Sequence, residues 1–298
     1  MTNKVFIGMP AYNGERFIKE AIDSLINQSY TNWELFISDD ASTDNTEKIC
    51  KEYAEKDLRI TYYRQEKNLG IFSNFKFLLD RAEGDYFMWA GRDDLWDKEF
   101  IKICVKNLDN NKNIDISSTG IADVDSFGRT LRELSEFPSL SGKPGIISII
   151  RYILQPEILG KCNIMCSLFR FPAIKKIWEI YPQRQEWGSD YHFSLAAISH
   201  FGIFIEPRIL FKKRHGGFSN PLSTINDKEN IIRKIEIKNP KNHMFPFGRF
   251  NRYFNGHMEA LDGTPYKALA AILLYSRIPR SFIIHVKEKI NNKFKKYA

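Results

Sequence analysis

An α/β fold, built on a single Rossmann-like, mainly parallel sheet with helices on both faces, is what this sequence predicts. Three observations carry the prediction. Over the first hundred residues, short apolar runs rich in strand formers alternate with stretches whose apolar residues recur at helical spacing. Such alternation implies right-handed crossovers and parallel pairing. Two of the apolar runs end in acidic pairs, Asp39-Asp40 and Asp93-Asp94. Ligands bind beyond the carboxyl ends of the strands in sheets of this kind, so the pairs mark a binding edge rather than a core.

The elements follow in order. "KVFIGMP" (4–10) predicts the first strand, and "GERFIKEAIDSLINQ" (14–28) a helix, with Ile18, Ala21, Ile22, Leu25 and Ile26 on one face. "WELFISDD" (33–40) is a strand. "STDNTEKICKEYAEK" (42–56) is a helix in which Asp44, three residues before Glu47, predicts a capping pair. "RITYYR" (59–64) is a third strand, "IFSNFKFLLDRA" (71–82) a third helix and "DYFMWA" (85–90) a fourth strand. Beyond residue 115 the pattern loosens. "IDISSTGIADVDSFGRT" reads as a strand and turn of antiparallel character, and "CNIMCSLFR" (162–170) as a strand. "WGSDYHFSLAAIS" (187–199) reads as a helix, and "FGIFIEPRILFKKRH" (201–215) as two strands broken at Pro207. Polar, proline-punctuated sequence at 218–245 sets the expected boundary between a catalytic domain, 1–217, and a helical C-terminal extension, 218–298.

Charge and cysteine content exclude several classes of function. The net charge is +8, yet the segment from Arg277 onward holds seven Lys/Arg against the single acid Glu288, a surplus of six. The remainder is close to neutral, which argues against a nucleic-acid binder with a basic working face. Four cysteines are too few for a disulfide scaffold. Cys162 and Cys166 stand in a CxxxC spacing with no further ligands nearby, so buried free thiols in a reducing cytoplasm are expected rather than a zinc site. The N-terminus runs straight into a strand with no leader pattern, and "ALAAILLY" (268–275) is too short to span a bilayer as a helix. A cytoplasmic location is expected. In the tail, Ile283, Val286, Ile290, Phe294 and Tyr297 recur at three- and four-residue steps among lysines. That pattern suits a basic amphipathic helix lying on the inner face of an anionic membrane, or one packed on its own domain.

Two carboxylates at one strand end repel each other unless a cation or a donor lies between them. Mg²⁺ or Mn²⁺ holding a diphosphate meets that need, because such ions take one or two carboxylates and complete their shell with phosphate oxygens and water. Neither GxGxxG nor GxxxxGK[ST] occurs. Instead "VFIGMPAYNGERFIKEAIDSLINQSYTNWELFISDDASTDNT" followed by "NLGIFSNFKFLLDRAEGDYFMWAGRDDLW" resembles glycosyltransferase family 2, strongly over 4–105 and weakly over 160–220.

The resemblance implies a GT-A fold and an inverting, metal-dependent transfer from a UDP- or dTDP-sugar to a glycan or polyprenyl-linked acceptor in surface polysaccharide synthesis. By the same resemblance Pro10, Tyr12 and Glu15 border the nucleoside, and Asp40 accepts from the N3–H of the base. Asp93 lies toward the ribose and diphosphate, and Asp94 ligates the metal. "EWGSDYHF" is similar to the segment of the catalytic base, at Asp190. "KKRHGGFS" resembles the block in which His215 reaches the metal or diphosphate, with Arg214 beside it on the diphosphate. The "DDLW" ending is similar to rhamnosyltransferase-like members. Gly91 stands where many members carry an acid, and Arg92 between it and the pair is a candidate phosphate contact. Trp89 and Trp96 are expected in the core or pocket wall. Two rivals remain: a sugar nucleotidyltransferase, for which "PAYNGER" is a poor Gly-rich basic loop, and an inactive nucleotide- or glycan-binding module, which Gly91 keeps open.

Overall fold

The computed structural model describes residues 2–134, 137–155, 159–181, 189–214 and 247–276. The first third follows the alternation read from the sequence. It runs β1 (Val5–Ala11), α1 (Ile18–Ile26), β2 (Trp33–Asp39), α2 (Thr46–Lys56), β3 (Ile60–Arg64), α3 (Ile71–Arg81) and β4 (Tyr86–Trp89). These strands pair in parallel in the order β3-β2-β1-β4. Burial of the central strands on both sides explains their near-continuous apolar character: β4 is buried at every position and β1 at all but one.

The later elements are β5 (Leu95–Trp96), α4 (Phe100–Asn110), β6 (Ile116–Val124), β7 (Thr130–Glu133), α5 (Ile146–Leu154), β8 (Leu168–Arg170), α6 (Phe171–Ile180), α7 (Ser189–His200) and β9 (Ile203–Arg214), then α8 (Phe247–Ala260) and α9 (Lys267–Ser276). They extend the sheet in mixed sense. β8 is antiparallel to both β4 and β6, β9 is parallel to β6, and β5 and β7 pair antiparallel with β9 and β6. The described residues thus form one nine-stranded sheet, wholly parallel in its first half and mixed in its second.

Several expectations change. The helix predicted over 14–28 begins at Ile18, because Gly14 closes a turn whose carbonyl accepts from the Phe17 and Ile18 amides. The strand predicted over 162–170 is a 3₁₀ turn at Lys161–Cys166 followed by the three-residue β8. Lys161 holds that turn: its fully buried ammonium donates to the Tyr152 and Gln155 carbonyls at the end of α5. Pro207 does not break the last strand. The register with β6 jumps from Thr119↔Glu206 to Gly120↔Ile209, so the proline, which has no N–H to donate, sits in a bulge. Asp44 does not form a capping pair with Glu47. Its carboxylate accepts from the Thr46 and Glu15 amides, whereas Glu47 pairs with Lys51 and Arg64. Trp89 and Trp96 are buried in the core, and Trp89 also borders the cavity described below.

Helices α8 and α9 lie against α7 and α5 respectively, and Ala260, Leu261, Ala270 and Leu274 join the main core. The boundary at 218–245 and the amphipathic segment 280–298 fall outside the described residues, as does His215. Among the described residues, no helix is long and apolar enough to cross a membrane.

Candidate active site

The site is assembled from turns at the carboxyl ends of the strands. β2 delivers Asp39 and Asp40 in opposite roles. Asp39 is fully buried and accepts from the Ser42 amide at 2.9 Å, the Ser42 hydroxyl, the Tyr62 hydroxyl at 2.7 Å and the Arg64 guanidinium at 3.2 Å. It fixes the turn rather than facing a ligand. Ala41, next in sequence, has φ of 60°, a left-handed conformation costly to a residue with a Cβ, and the Asp39 bonds hold it there. Ser42 in turn accepts from the Asn13 amide at 2.9 Å, and Thr46 from the Gly14 amide at 2.7 Å, which ties the β1 turn to the β2 turn. Asp40 reaches the other way. Its two carboxylate oxygens accept from the Leu69 and Gly70 amides at 2.6 and 3.0 Å, and each keeps a second lone pair for a further donor.

β4 delivers Gly91, Arg92, Asp93 and Asp94. A Cβ at position 91 would lie 2.6 Å from Asp94 Oδ2, so the folded-back Asp94 carboxylate needs glycine there. A Cβ at Gly14 would lie 2.6 Å from Arg92 Cδ, so the β1 turn must also be bare where the arginine crosses it. Asp94 is buried and accepts from the Arg214 amide at 3.0 Å. Burial pushes its carboxyl up to about 6, with the neighbouring Asp93 adding to the rise and Lys213 and Arg214 opposing it. Burial draws the Arg92 guanidinium down, against the charges of Asp93, Asp44 and Asp94.

The opposite wall comes from the second half of the chain. Asp190 sits in the first turn of α7, where the helix dipole favours an anion. Burial raises its carboxyl above the ordinary value, and the strongest opposing influence is the charge of Lys213, followed by the Tyr191 amide and the Cys162 thiol. Lys213, near the end of β9, is raised in turn: burial, the largest single influence, would lower it, but Asp94, Cys166, Cys162 and Asp93 together outweigh that. Burial drives Cys166 up to about 12 and Cys162 higher still, so both remain thiols.

These walls enclose a cavity of about 410 Å³. Pro10, Tyr12, Asp40, Arg92, Asp93, Asp94 and Asp190 all line it, gathered from four separate places in the sequence. β2 and β4 are separated by β1, so Asp40 stands two strand spacings from Asp93-Asp94, roughly 10 Å. That spacing suits a nucleoside followed by its diphosphate. Glu15 and Arg214 are not in the lining. The Glu15 carboxylate accepts from the Asn45 amide and side chain. The buried Arg214 guanidinium donates to the carbonyls of Asp93 at 2.9 Å and Ser126 at 2.9 Å and to Glu20 at 2.6 Å, so it braces the acidic pair from behind. Lys213 lines the cavity although the sequence reading passed over it. A signal existed: in a strand Lys213 shares a face with the buried Phe211, two residues earlier.

The family model described as glycosyl transferase family 2 matches residues 6–178. The chain belongs to this family. Among its relatives, EpsE of Bacillus subtilis is 36% identical over 175 residues, covering 58% of this chain and 62% of EpsE. The minor teichoic acid biosynthesis protein GgaB of the same organism is 31% identical over 242 residues, covering 78% of this chain but 25% of GgaB. The chain therefore spans less than two thirds of these relatives' own length. Among solved structures, Staphylococcus aureus TarS (residues 1–349, in complex with UDP-GlcNAc) superposes with a TM-score of 0.60 at 19% identity, over 95% of this chain and 92% of that one. The shared fold is that of the GT-A glycosyltransferases.

For a family 2 member, the donor set suits a divalent cation that is completed by substrate. Among the described residues no cluster of three or more His, Cys, Asp or Glu side chains forms a closed metal cage. Asp93 and Asp94 nevertheless present two crowded carboxylates to the cavity, and Mg²⁺ or Mn²⁺ needs no more protein than that when phosphate oxygens complete its shell.

Proposed function

We propose that this chain is an inverting glycosyltransferase that moves a sugar from a UDP- or dTDP-sugar to a hydroxyl of a glycan or polyprenyl-linked glycan, in surface polysaccharide assembly. One observation carries the reading: Asp40, the Asp93-Asp94 pair and Asp190, far apart in sequence, line a single cavity. The likeness to GgaB, a minor teichoic acid biosynthesis protein, and to TarS, whose structure holds UDP-GlcNAc, supports the polymer class and the donor class.

In this reading Pro10 and Tyr12 border the nucleoside, with Glu15 behind the turn, and Asp40 receives the N3–H of the base on a free lone pair. Asp93 and Arg92 face the ribose and diphosphate. Asp94, together with His215, would hold Mn²⁺ or Mg²⁺, which supplies positive charge to the departing diphosphate. Arg214 acts by fixing the Asp93-Asp94 turn. Asp190 takes the proton of the acceptor hydroxyl as its oxygen bonds to the anomeric carbon and the carbon–phosphate-oxygen bond breaks. One displacement on one face inverts that carbon without a covalent enzyme intermediate. The raised carboxyl of Asp190 suits a base that must be ionised yet eager for a proton. A cytoplasmic site of action, with the basic segment after Arg277 resting on the inner face of the membrane, would bring the cavity to a lipid-linked acceptor.

The test is a screen of UDP-, dTDP- and GDP-sugars by thermal shift with and without Mn²⁺, followed by acceptor-dependent release of nucleoside diphosphate. A transferase releases diphosphate only when acceptor is present. Binding without release under any acceptor would identify a binding module instead.

A further inference from the structure

Among the charged side chains that line the cavity, Lys213 is the one with no part in the proposed transfer. It projects from the penultimate position of β9 and lines the same space as Asp93, Asp94 and Asp190. It is the strongest charge acting on the Asp94 and Asp190 carboxyls. Yet among the described residues its ammonium makes no hydrogen bond and no ion pair within 4.0 Å. The contrast with its neighbour is sharp: Arg214 spends its guanidinium on three protein acceptors. The carboxylates around it keep the half-buried ammonium charged, yet none of its three N–H donors is spent on a protein acceptor, so all are open to the oxygens of a ligand. The carboxylates stand too far from it for direct contact, which leaves room between them for an anionic group.

We propose that Lys213 is a resident cation for the donor's diphosphate, gripping it from the Asp190 side of the cavity whether or not a divalent ion is bound. This rests on the reading of the cavity as a nucleotide-sugar site. Chemistry supports the assignment. A diphosphate entering between Asp93-Asp94 and Asp190 meets three carboxylates. A fixed ammonium offsets that repulsion and stays in place as charge builds on the leaving group. It also gives the site a preference for diphosphates over monophosphates that chelation does not abolish.

The experiment measures binding of UDP, UMP and uridine to the full chain by calorimetry in excess EDTA, for the wild type, Lys213→Met and Lys213→Arg. The wild type should prefer UDP over UMP, and inorganic pyrophosphate should compete with UDP. In Lys213→Met, UDP affinity should fall about 10- to 100-fold, the worth of a lost hydrogen bond to a charged group, while uridine binds as before. Lys213→Arg should retain most of the preference. Unchanged UDP affinity in Lys213→Met, with uridine still bound, overturns the role of Lys213 and leaves the nucleotide-sugar site intact. A wild type that binds no nucleotide with or without Mn²⁺ overturns both. If Lys213→Met does not fold, Lys213→Gln replaces it, and failure of pyrophosphate to compete in the wild type refutes the proposal without any variant.

Discussion

Replacing Asp190 with asparagine separates chemistry from binding more cleanly than any other change in this cavity. The side chain keeps its size, and its carbonyl oxygen can still accept from the Tyr191 amide, now 3.0 Å from Asp190 Oδ1. What is lost is the capacity to take a proton. A general base is worth roughly 10²–10⁴ in rate, or about 3–5 kcal/mol of barrier, so transfer should slow by that factor. Donor affinity should change little, because Asp40, the proposed nucleoside contact, is delivered by other strands. Folding stability should move the opposite way. Burial raises the folded carboxyl above its unfolded value, so the stabilising contribution of this group is present at low pH and is lost as pH rises through the folded pKa. Once ionised the buried side chain is a liability, so Asp190→Asn should melt above the wild type at high pH, the gap closing as pH falls below the ordinary carboxylate range. The same shift places the acid limb of wild-type kcat/KM above the ordinary carboxylate range. Single-turnover transfer, donor calorimetry and melting curves across pH read all three. Wild-type turnover in the variant, or a collapse of donor affinity with turnover of bound donor intact, would refute the assignment of Asp190 as base.

Three further perturbations test the scaffold that aims these groups. Asp94→Asn can still accept from the Arg214 amide but loses a charged ligand, so nucleotide binding should lose its Mn²⁺-dependent increment and transfer should cease; an undiminished Mn²⁺ effect in calorimetry would contradict the metal role. Gly256→Ala places a Cβ 2.1 Å from the ring of the fully buried His192, two residues from Asp190, and should cost about 1–3 kcal/mol by urea denaturation while slowing transfer. Wild-type stability in that variant would mean that α8 does not press on α7. Asp39→Ala strips the acceptor from Ser42, Tyr62 and Arg64 and should cost about 3–5 kcal/mol, with weaker nucleotide binding because Ala41 and Asp40 lose their anchor; a fully stable variant would show the turn is held some other way.

What the sequence disclosed and what it hid divide along the range of the interactions. The parallel half of the sheet was legible because each strand is followed by the helix that crosses over it, so apolar spacing within about thirty residues settles the local form. Helix α4 was not among the predicted elements, although its residues Phe100, Ile101, Cys104, Val105 and Leu108 show the same helical spacing and are buried. The mixed half was not legible in this way. β8 has three residues, too few for a period, and its place between β4 and β6 is fixed by partners as far off in sequence as Tyr86 is from Arg170. Pro207 looked like a break because a proline costs a ladder bond, and only the bulge opposite Gly120 shows how the strand continues.

The site follows the same division. Asp40, Asp93 and Asp94 each close an apolar strand within the strand–helix alternation of the first hundred residues, so the acids could be placed on the binding edge from pattern alone. Asp190 could not: it enters through the segment resembling the family's base, and the reason it reaches the acidic pair is three-dimensional. β9 must return beside β6 before Lys213 and Arg214 arrive under the β4 turn. Adjacent basic residues on a strand face opposite sides. Arg214 faces inward to hold the Asp93-Asp94 turn and Lys213 faces the cavity, so the two positive charges serve different purposes, one structural and one for the ligand. A reading of "KKRH" as a uniform phosphate-binding block misses this division, because the alternation that assigns each side chain its side becomes visible only once the register of β9 against β6 is known.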